Sequence, residues 1–484
     1  MQRAPDRSRQ NLIIAVLVFA EMASAYEAGM IYSALSTMYR TFNDPVGVGW
    51  LITSFLLVSA AASAVCSRLG DMFGRYQVLV VMLLLATLGS LISAVSSSLY
   101  GVVAGRALQG VSAAVLPLCF GLVREHLPAK RVPIAVSYLT AMAAFGAGLG
   151  LVTAGVIVDY FSWQLMFFIS AGQAALALVL VLIFIPASKA TASKGRLDIV
   201  GGVLFVPALA GVLLAISNGK SWGWTDGRTL GLLMASLALM VFWVFYELRH
   251  SNPLIDVRQF TNRKIVLTNL DMAMFGLGAS QMMLVLLLLL QQPTWTGIGL
   301  GISATLAAMV KLPGNALALV FGPLGGHITA KHGGRRAMLI AVLVVLTAWI
   351  GITVWRDSLW LLTAMILLAS AGGSMMYAAM PNLIIEAAPQ DRTSEMTGLA
   401  NVVRTTFSAI GAQLIAFMLA TSTIADPASG QAFPAETAYL LVFASIIGTL
   451  VLMLMITWLL PAQSAAEAKA YARMNAAPRP TESG

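Results

Sequence analysis

Fourteen separate runs of about 20 or more residues, nearly free of charge, follow one another along this 484-residue chain. A helix rises about 1.5 Å per residue, so each run is long enough to cross the roughly 30 Å hydrocarbon core of a bilayer. A chain made of such runs has lipid as its solvent and α-helix as its form. The first run covers 12–35, the seventh and eighth 198–217 and 228–247, the ninth and tenth 265–290 and 298–325, and the last 436–460. A transmembrane β-barrel is argued against, because its strands alternate polar and apolar residues and show no continuous runs. With 59% hydrophobic and 10% charged residues, the composition also argues against a water-soluble enzyme. Cys66 and Cys119 both fall inside apolar runs, which supports neither a disulfide framework nor a thiolate metal site. Arg3, Arg7 and Arg9 precede a first run too long for a signal h-region, so that run is expected to be a retained span.

The formal net charge of +9 raises the question of a nucleic-acid partner, and the placement of the charge answers it. With the loops sorted alternately, those on the N-terminal side hold about 22 of the 29 Lys and Arg residues, and the opposite loops about four. Three more, Arg106, Lys311 and Arg404, lie inside runs. The positive-inside rule then places both termini in the cytoplasm and the protein, a multi-pass one, in the inner (cytoplasmic) membrane, with no nucleic acid involved. Trp50, Trp163, Trp222, Trp224, Trp295, Trp355 and Trp360 gather at the opposite ends of the runs, as interfacial tryptophans do.

Two polar loops, 187–197 and 248–264, bracket the seventh and eighth runs. The expected organisation is therefore a cytoplasmic N-terminus (1–11), a six-helix half (12–186), a connector carrying two extra helices (187–264), a second six-helix half (265–460) and a cytoplasmic tail (461–484). A loop pattern repeats at equivalent places of the two halves: Ser67-Arg-Leu-Gly-Asp71-Met-Phe-Gly74-Arg75 after run two, and Gly326-His-Ile-Thr-Ala330-Lys-His-Gly-Gly-Arg335-Arg336 after run ten. Glycine permits the tight turn, and an acid beside arginine at helix ends can latch the cytoplasmic side until the halves rock apart. Because Ala330 stands where the first loop has an acid, the charge latch is expected to be stronger in the first half.

These features resemble the major facilitator superfamily, in particular its fourteen-span drug:proton antiporter branch, over about residues 10–460. Asp71, Gly74 and Arg75 match the signature loop, and Arg106-Ala-Leu-Gln109-Gly110 matches the R-x-x-Q-G motif associated with proton coupling. Tyr26-Glu27 through Leu35-Ser36 resembles the first-span pattern with Glu27 at its acidic position, and Asn401-Val-Val-Arg404 resembles an N-x-x-R pattern of run thirteen. The resemblance implies an all-α membrane protein of two six-helix halves plus two inserted helices, working by alternating access. It implies small-molecule cargo, protons as the coupling ion, the lipid bilayer as surroundings, a monomer and no cofactor. One departure bears on direction: the antiporter motif of run five carries Gly-Pro-x-x-Gly-Gly, whereas this chain reads Gly150-Leu-Val-Thr-Ala-Gly155. Export is favoured, and proton-coupled uptake of an organic anion such as an aromatic acid is the alternative.

Ionisable groups inside spans are costly and mark functional positions by default. Glu27 and Arg106 come out at nearly equal depth, roughly 22 and 21 Å from the cytoplasmic surface. They can pair, either as a permanent packing element or as a proton switch in which arginine and burial pull the carboxyl in opposite directions. Glu21, six residues before Glu27, points about 120° away on the same helix and is the secondary proton-coupling candidate. Asp271 and Lys311 are expected roughly 10 Å deep on adjacent spans, and with Arg404 they form the candidate intramembrane or substrate charges. Lys311 hints at an anionic substrate. Asp71, Gly74, Arg75 and Arg335 are the latch candidates, and Gly146, Gly150 and Gly155 serve either helix packing or a hinge. Met274, Met282, Met283, Met375, Met376 and Met380 fit ordinary core or an adaptable pocket. All four histidines are assigned to loops, and there is neither a P-loop motif nor a nucleophile–base or metal-ligand grouping, so no enzyme activity is expected.

Overall fold

The computed structural model of the chain describes residues 7–42, 45–187, 198–250, 253, 257–302, 304–356, 358–389, 392–425 and 432–461. The expected N-terminus up to residue 6, nearly all of the polar connector at 187–197, and the tail beyond 461 lie outside the described residues.

Away from water each backbone N–H and C=O must be satisfied within its own segment, which makes every apolar run a helix or a pair of helices. The chain opens with α1 (Arg7–Phe42), α2 (Pro45–Phe73) and α3 (Arg75–Val95). The fourth run divides into α4 (Leu99–Gln109) and α5 (Val115–His126) around a 3-10 segment, Gly110–Ala114, and α6 (Val132–Tyr160) and α7 (Gln164–Phe184) follow. Next come α8 (Ile199–Trp222) and α9 (Gly227–Arg249). The ninth run is also divided, into α10 (Arg263–Leu277) and α11 (Met282–Gln291), with a 3-10 turn at Ala279–Gln281. A carbonyl freed at that break finds a donor, because Gln281 Nε2 bonds Gly276 O at 2.8 Å, and the same nitrogen reaches Ser408 O of α15 at 2.8 Å. The chain continues with α12 (Ala304–His332), α13 (Gly334–Val354), α14 (Leu359–Ala387), α15 (Thr393–Ala420) and α16 (Glu436–Leu459). Between the last two, β1 (Thr423–Ala425) and β2 (Ala432–Pro434) pair antiparallel, with Ile424 opposite Phe433.

Each of the fourteen expected spans coincides with one of these helices or broken helices. Among the described residues, twelve are long and apolar enough to cross a membrane, and α8 adds an apolar stretch at Val200–Ile216. Pro313 and Pro323 lie within the continuous helix α12.

The buried apolar side chains form four clusters. The largest is built from α10–α16 around Trp349, Tyr439 and Phe443. A second, around Leu17, Leu118 and Leu139, and a third, around Tyr26, Met30 and Phe167, come from α1–α7, with Ile385 of α14 joining the second. The fourth seats Phe205 and Leu209 of α8 and Trp243 of α9 on Ala64 of α2 and on Leu399 and Val402 of α15. The α1–α7 and α10–α16 groups meet where α6 packs on α12 and α14, and where α2 and α5 pack on α15.

Candidate functional site

The α2–α3 turn needs a left-handed backbone, supplied by Gly74 at φ 106°. The turn brings Arg75 Nε within 2.7 Å of Asp71 Oδ1, in a pair that is almost wholly buried. The other oxygen of Asp71 accepts the backbone N–H of Glu395 at 2.7 Å. This places a carboxylate on the positive end of α15, where unpaired N–H groups and the helix dipole favour an anion. Glu395 in turn binds Arg68 through its Oε2 at 2.8 Å. Arg124, at the end of α5, donates to Ala388 O at 2.9 Å and to Thr393 Oγ1 at 2.7 Å. Asp71, Arg68 and Arg124 of the first group thus hold the start of α15 at one end of the bundle.

Arg335 does something different. Its Nη2 donates to Trp458 O at 2.6 Å, at the end of α16, so it ties together two helices of its own group. The acid missing at Ala330 is replaced from elsewhere: Glu386 of α14 accepts Gly334 N–H at 3.1 Å and binds Lys264 at 2.6 Å. Sequence reasoning missed Glu395, Arg124 and Glu386 as partners. Glu395 had a local signal, an acid in the first turn of a helix, but its partner is more than 300 residues away.

The acid of the first span is fully buried. Glu27 Oε1 accepts hydrogen bonds from Ser90 Oγ of α3 at 2.8 Å and from Ser170 Oγ of α7 at 3.1 Å. Its Oε2 has no hydrogen-bond partner among the described residues. Arg106 comes to the same place, donating to the backbone carbonyl of Glu27 at 2.9 Å, to Leu51 O at 3.2 Å and to Gln109 Oε1 at 2.9 Å. Its guanidinium also lies 4.2 Å from the centre of the Phe55 ring. Among the described residues no bond joins guanidinium and carboxylate directly. A chain links them instead: Gln109 Nε2 donates to Ser90 Oγ at 2.6 Å, and Ser90 donates to Glu27. Each hydroxyl and amide in it therefore has a defined direction, with donors converging on the carboxylate. The two serines had no signal in the sequence, since serine is common in membrane helices.

Glu21 is buried as well, its Oε2 has no partner among the described residues, and no bond connects it to Glu27 or Arg106. Gly146 and Gly150 lie where α6 presses on α1: a Cβ there would come 2.7 Å from Met22 O and 2.5 Å from Tyr26 O respectively. Gly155 is different, because a Cβ there would be in ordinary contact, 3.7 Å from Ser33 Oγ.

A narrow cavity with about 30 Å³ of accessible space lies between α5, α6, α10, α14 and α15. Its polar wall consists of Thr140, Tyr377, Thr397, Asn401 and Arg404. Arg404 binds Asn401 Oδ1 at 2.7 Å and lies 5.1 Å from the centre of the Tyr377 ring. Asn401 is itself held across the bundle, donating to Ser63 Oγ of α2 at 3.0 Å. Of the methionines singled out in the sequence, Met375, Met376 and Met380 all belong to the apolar core, and Met380, with Met272, also lines the cavity. Met283 lies outside the described side chains.

Asp271 does not line this cavity. It is fully buried and accepts a hydrogen bond from Thr457 of α16 at 3.1 Å, with Oδ1 unpartnered among the described residues. The Lys311 side chain lies outside the described residues, and the expected Asp271–Lys311 pair with it. His327, assigned to a loop from the sequence, sits inside α12 with Nδ1 2.8 Å from Pro323 O, because α12 runs on to His332 and leaves Gly333 alone as the turn.

The family model described as Major Facilitator Superfamily matches residues 17–198 and 197–412. The multidrug resistance protein Stp of Mycobacterium tuberculosis (strain CDC 1551 / Oshkosh) is 25% identical over 417 residues, which cover 84% of this chain and 76% of that protein. A uridine/deoxyuridine transporter of Lactococcus lactis subsp. cremoris (strain MG1363) is 28% identical over 422 residues, covering 82% of this chain and 85% of the other. Among solved structures, the proton:xylose symporter XylE superposes with a TM-score of 0.67 at 15% identity, covering 96% of this chain and 99% of that one, a likeness of fold.

Proposed function

Because the chain belongs to the Major Facilitator Superfamily, we propose that it exports amphipathic or aromatic organic compounds in exchange for protons, by alternating access. Glu27 is the proton carrier. The observation that carries this is a fully buried carboxyl with one oxygen bonded by two serines, the other unpartnered among the described residues, and a cation one side-chain relay away. A group so placed responds to small rearrangements, because burial favours its neutral form while converging donors and the Arg106 charge favour its ionised form. Rocking that shortens or breaks the Gln109–Ser90 link changes which influence wins, and with it the proton affinity. The relatives named for multidrug resistance support export over uptake.

In this reading the basic end of the bundle faces the cytoplasm, with both termini there and the chain in the inner membrane. The Asp71–Glu395 and Arg124 contacts then close the cytoplasmic side, so the state seen is one that cannot exchange with the cell interior. The division into two six-helix halves with α8 and α9 as an insert belongs to the same proposal, since α8 and α9 lie outside the Glu27 cluster and do not line the cavity. The test is movement of a labelled compound panel in inverted vesicles under an imposed pH gradient. Export appears there as pH-driven accumulation that Glu27→Gln abolishes, while equilibrium binding to the purified variant persists. Accumulation by Glu27→Gln equal to that of the unmodified protein overturns the assignment.

A further inference from the structure

We infer that the cavity between α5, α6, α10, α14 and α15 selects amphipathic organic anions, with Arg404 as the group that binds the negative charge. This deepens the exporter reading and rests on it.

The two arginines inside the apolar runs are used differently, Arg106 buried and Arg404 half-buried. Arg106 commits three of its five N–H donors, to two backbone carbonyls and Gln109. Among the described residues Arg404 makes one hydrogen bond, to the neutral amide oxygen of Asn401, and otherwise lies against the face of Tyr377. A guanidinium has five N–H donors in a planar fork, the shape that matches a carboxylate or sulfonate with two parallel bonds. Asn401 cannot turn away, because its amide nitrogen is held by Ser63 of α2, so Arg404 is fixed in direction as well as in place.

The charge balance around the cavity points the same way. Among the described lining residues Arg404 is the one charged group, and no acid accompanies it. Two acids near these helices are engaged elsewhere: Glu395 with Arg68 and the Asp71 contact, Asp271 with Thr457. A cation inside the membrane without a counter-ion is costly, and an anionic ligand removes that cost. The remaining wall, with Leu116, Phe120, Met272 and Met380, is apolar and suits a hydrocarbon or aromatic body. Anionic cargo also suits outward movement, since a membrane potential negative inside drives an anion out.

The experiment uses the full chain in lipid nanodiscs and three matched probes: 1-naphthaleneacetate, its neutral amide, and 1-naphthylethylammonium. Binding is measured at equilibrium with no pH gradient. The carboxylate is expected to bind at 1:1 stoichiometry and at least tenfold more tightly than the amide, with the ammonium weakest. Arg404→Gln should erase the preference for carboxylate over amide, and Arg404→Lys should keep part of it. Binding of the ammonium as tight as that of the carboxylate overturns the proposal from the unmodified protein alone, even if the variants fail to fold. So does a carboxylate preference that survives in Arg404→Gln. No transport enters this measurement, so its failure is distinct from failure of proton coupling at Glu27.

Discussion

Glu27 and Gly150 lie within two turns' reach of each other across the α1–α6 contact, and both show how single atoms set what this bundle tolerates. The backbone carbonyl of Tyr26 occupies the place a Cβ on Gly150 would need, 2.5 Å away, and backbone cannot give way as a flexible side chain does. Overpacking of this kind costs about 1–3 kcal/mol. Gly150→Ala is therefore expected to lower the melting temperature of the purified protein, whereas Gly155→Ala, with 3.7 Å available, should leave it nearly unchanged. Equal melting temperatures for the two variants would show that α1 and α6 are not pressed together as described. Position and residue type at this scale were partly legible in the sequence. The depths of Glu27 and Arg106 follow from counting residues along two spans, and the structure puts the two in contact through the Glu27 carbonyl. The relay through Gln109 and Ser90 and the second bond from Ser170 were not legible, because they depend on how three helices are rotated about their axes, which one sequence does not record.

At the scale of helices, continuity of apolar runs located every rod, but not where rods break. Gly110 and Gly278 open 3-10 segments inside runs that read as uninterrupted, since a helix and a broken helix need the same apolar surface when neighbouring side chains satisfy the freed carbonyls. The repeated loop after runs two and ten was legible as a pattern, yet the two copies bind different things. Asp71 reaches the positive end of α15, while Arg335 reaches the end of α16 within its own group. This difference yields a prediction about the closed end. An acid at a helix N-terminus is worth about 0.3–1 kcal/mol at the surface and up to about 2 kcal/mol in partly buried geometry. Asp71→Asn should therefore shift the population toward separation of α2 and α15, read as a longer distance between spin labels at Phe73 and Arg392. Arg335→Ala should leave that distance unchanged. A longer distance in both variants, or in Arg335→Ala alone, would contradict the division of roles.

For the molecule as a whole, the asymmetry of basic loops sets orientation, and accessibility tests it. After replacement of Cys66 and Cys119, a cysteine at Ser162, between α6 and α7, should react with a membrane-impermeant reagent added to intact cells. One at His332, the last residue of α12, should not, and the reverse pattern would invert the topology. The central claim, however, is that cargo leaves as a proton enters by way of Glu27. The most direct measurement loads proteoliposomes with a pH-reporting dye, starts cargo movement by a concentration gradient alone, and watches for protons moving the opposite way. The account predicts that the unmodified protein moves protons against the cargo, and that Glu27→Gln binds cargo with little change and moves none. Counter-movement of protons at the unmodified rate in Glu27→Gln would contradict it.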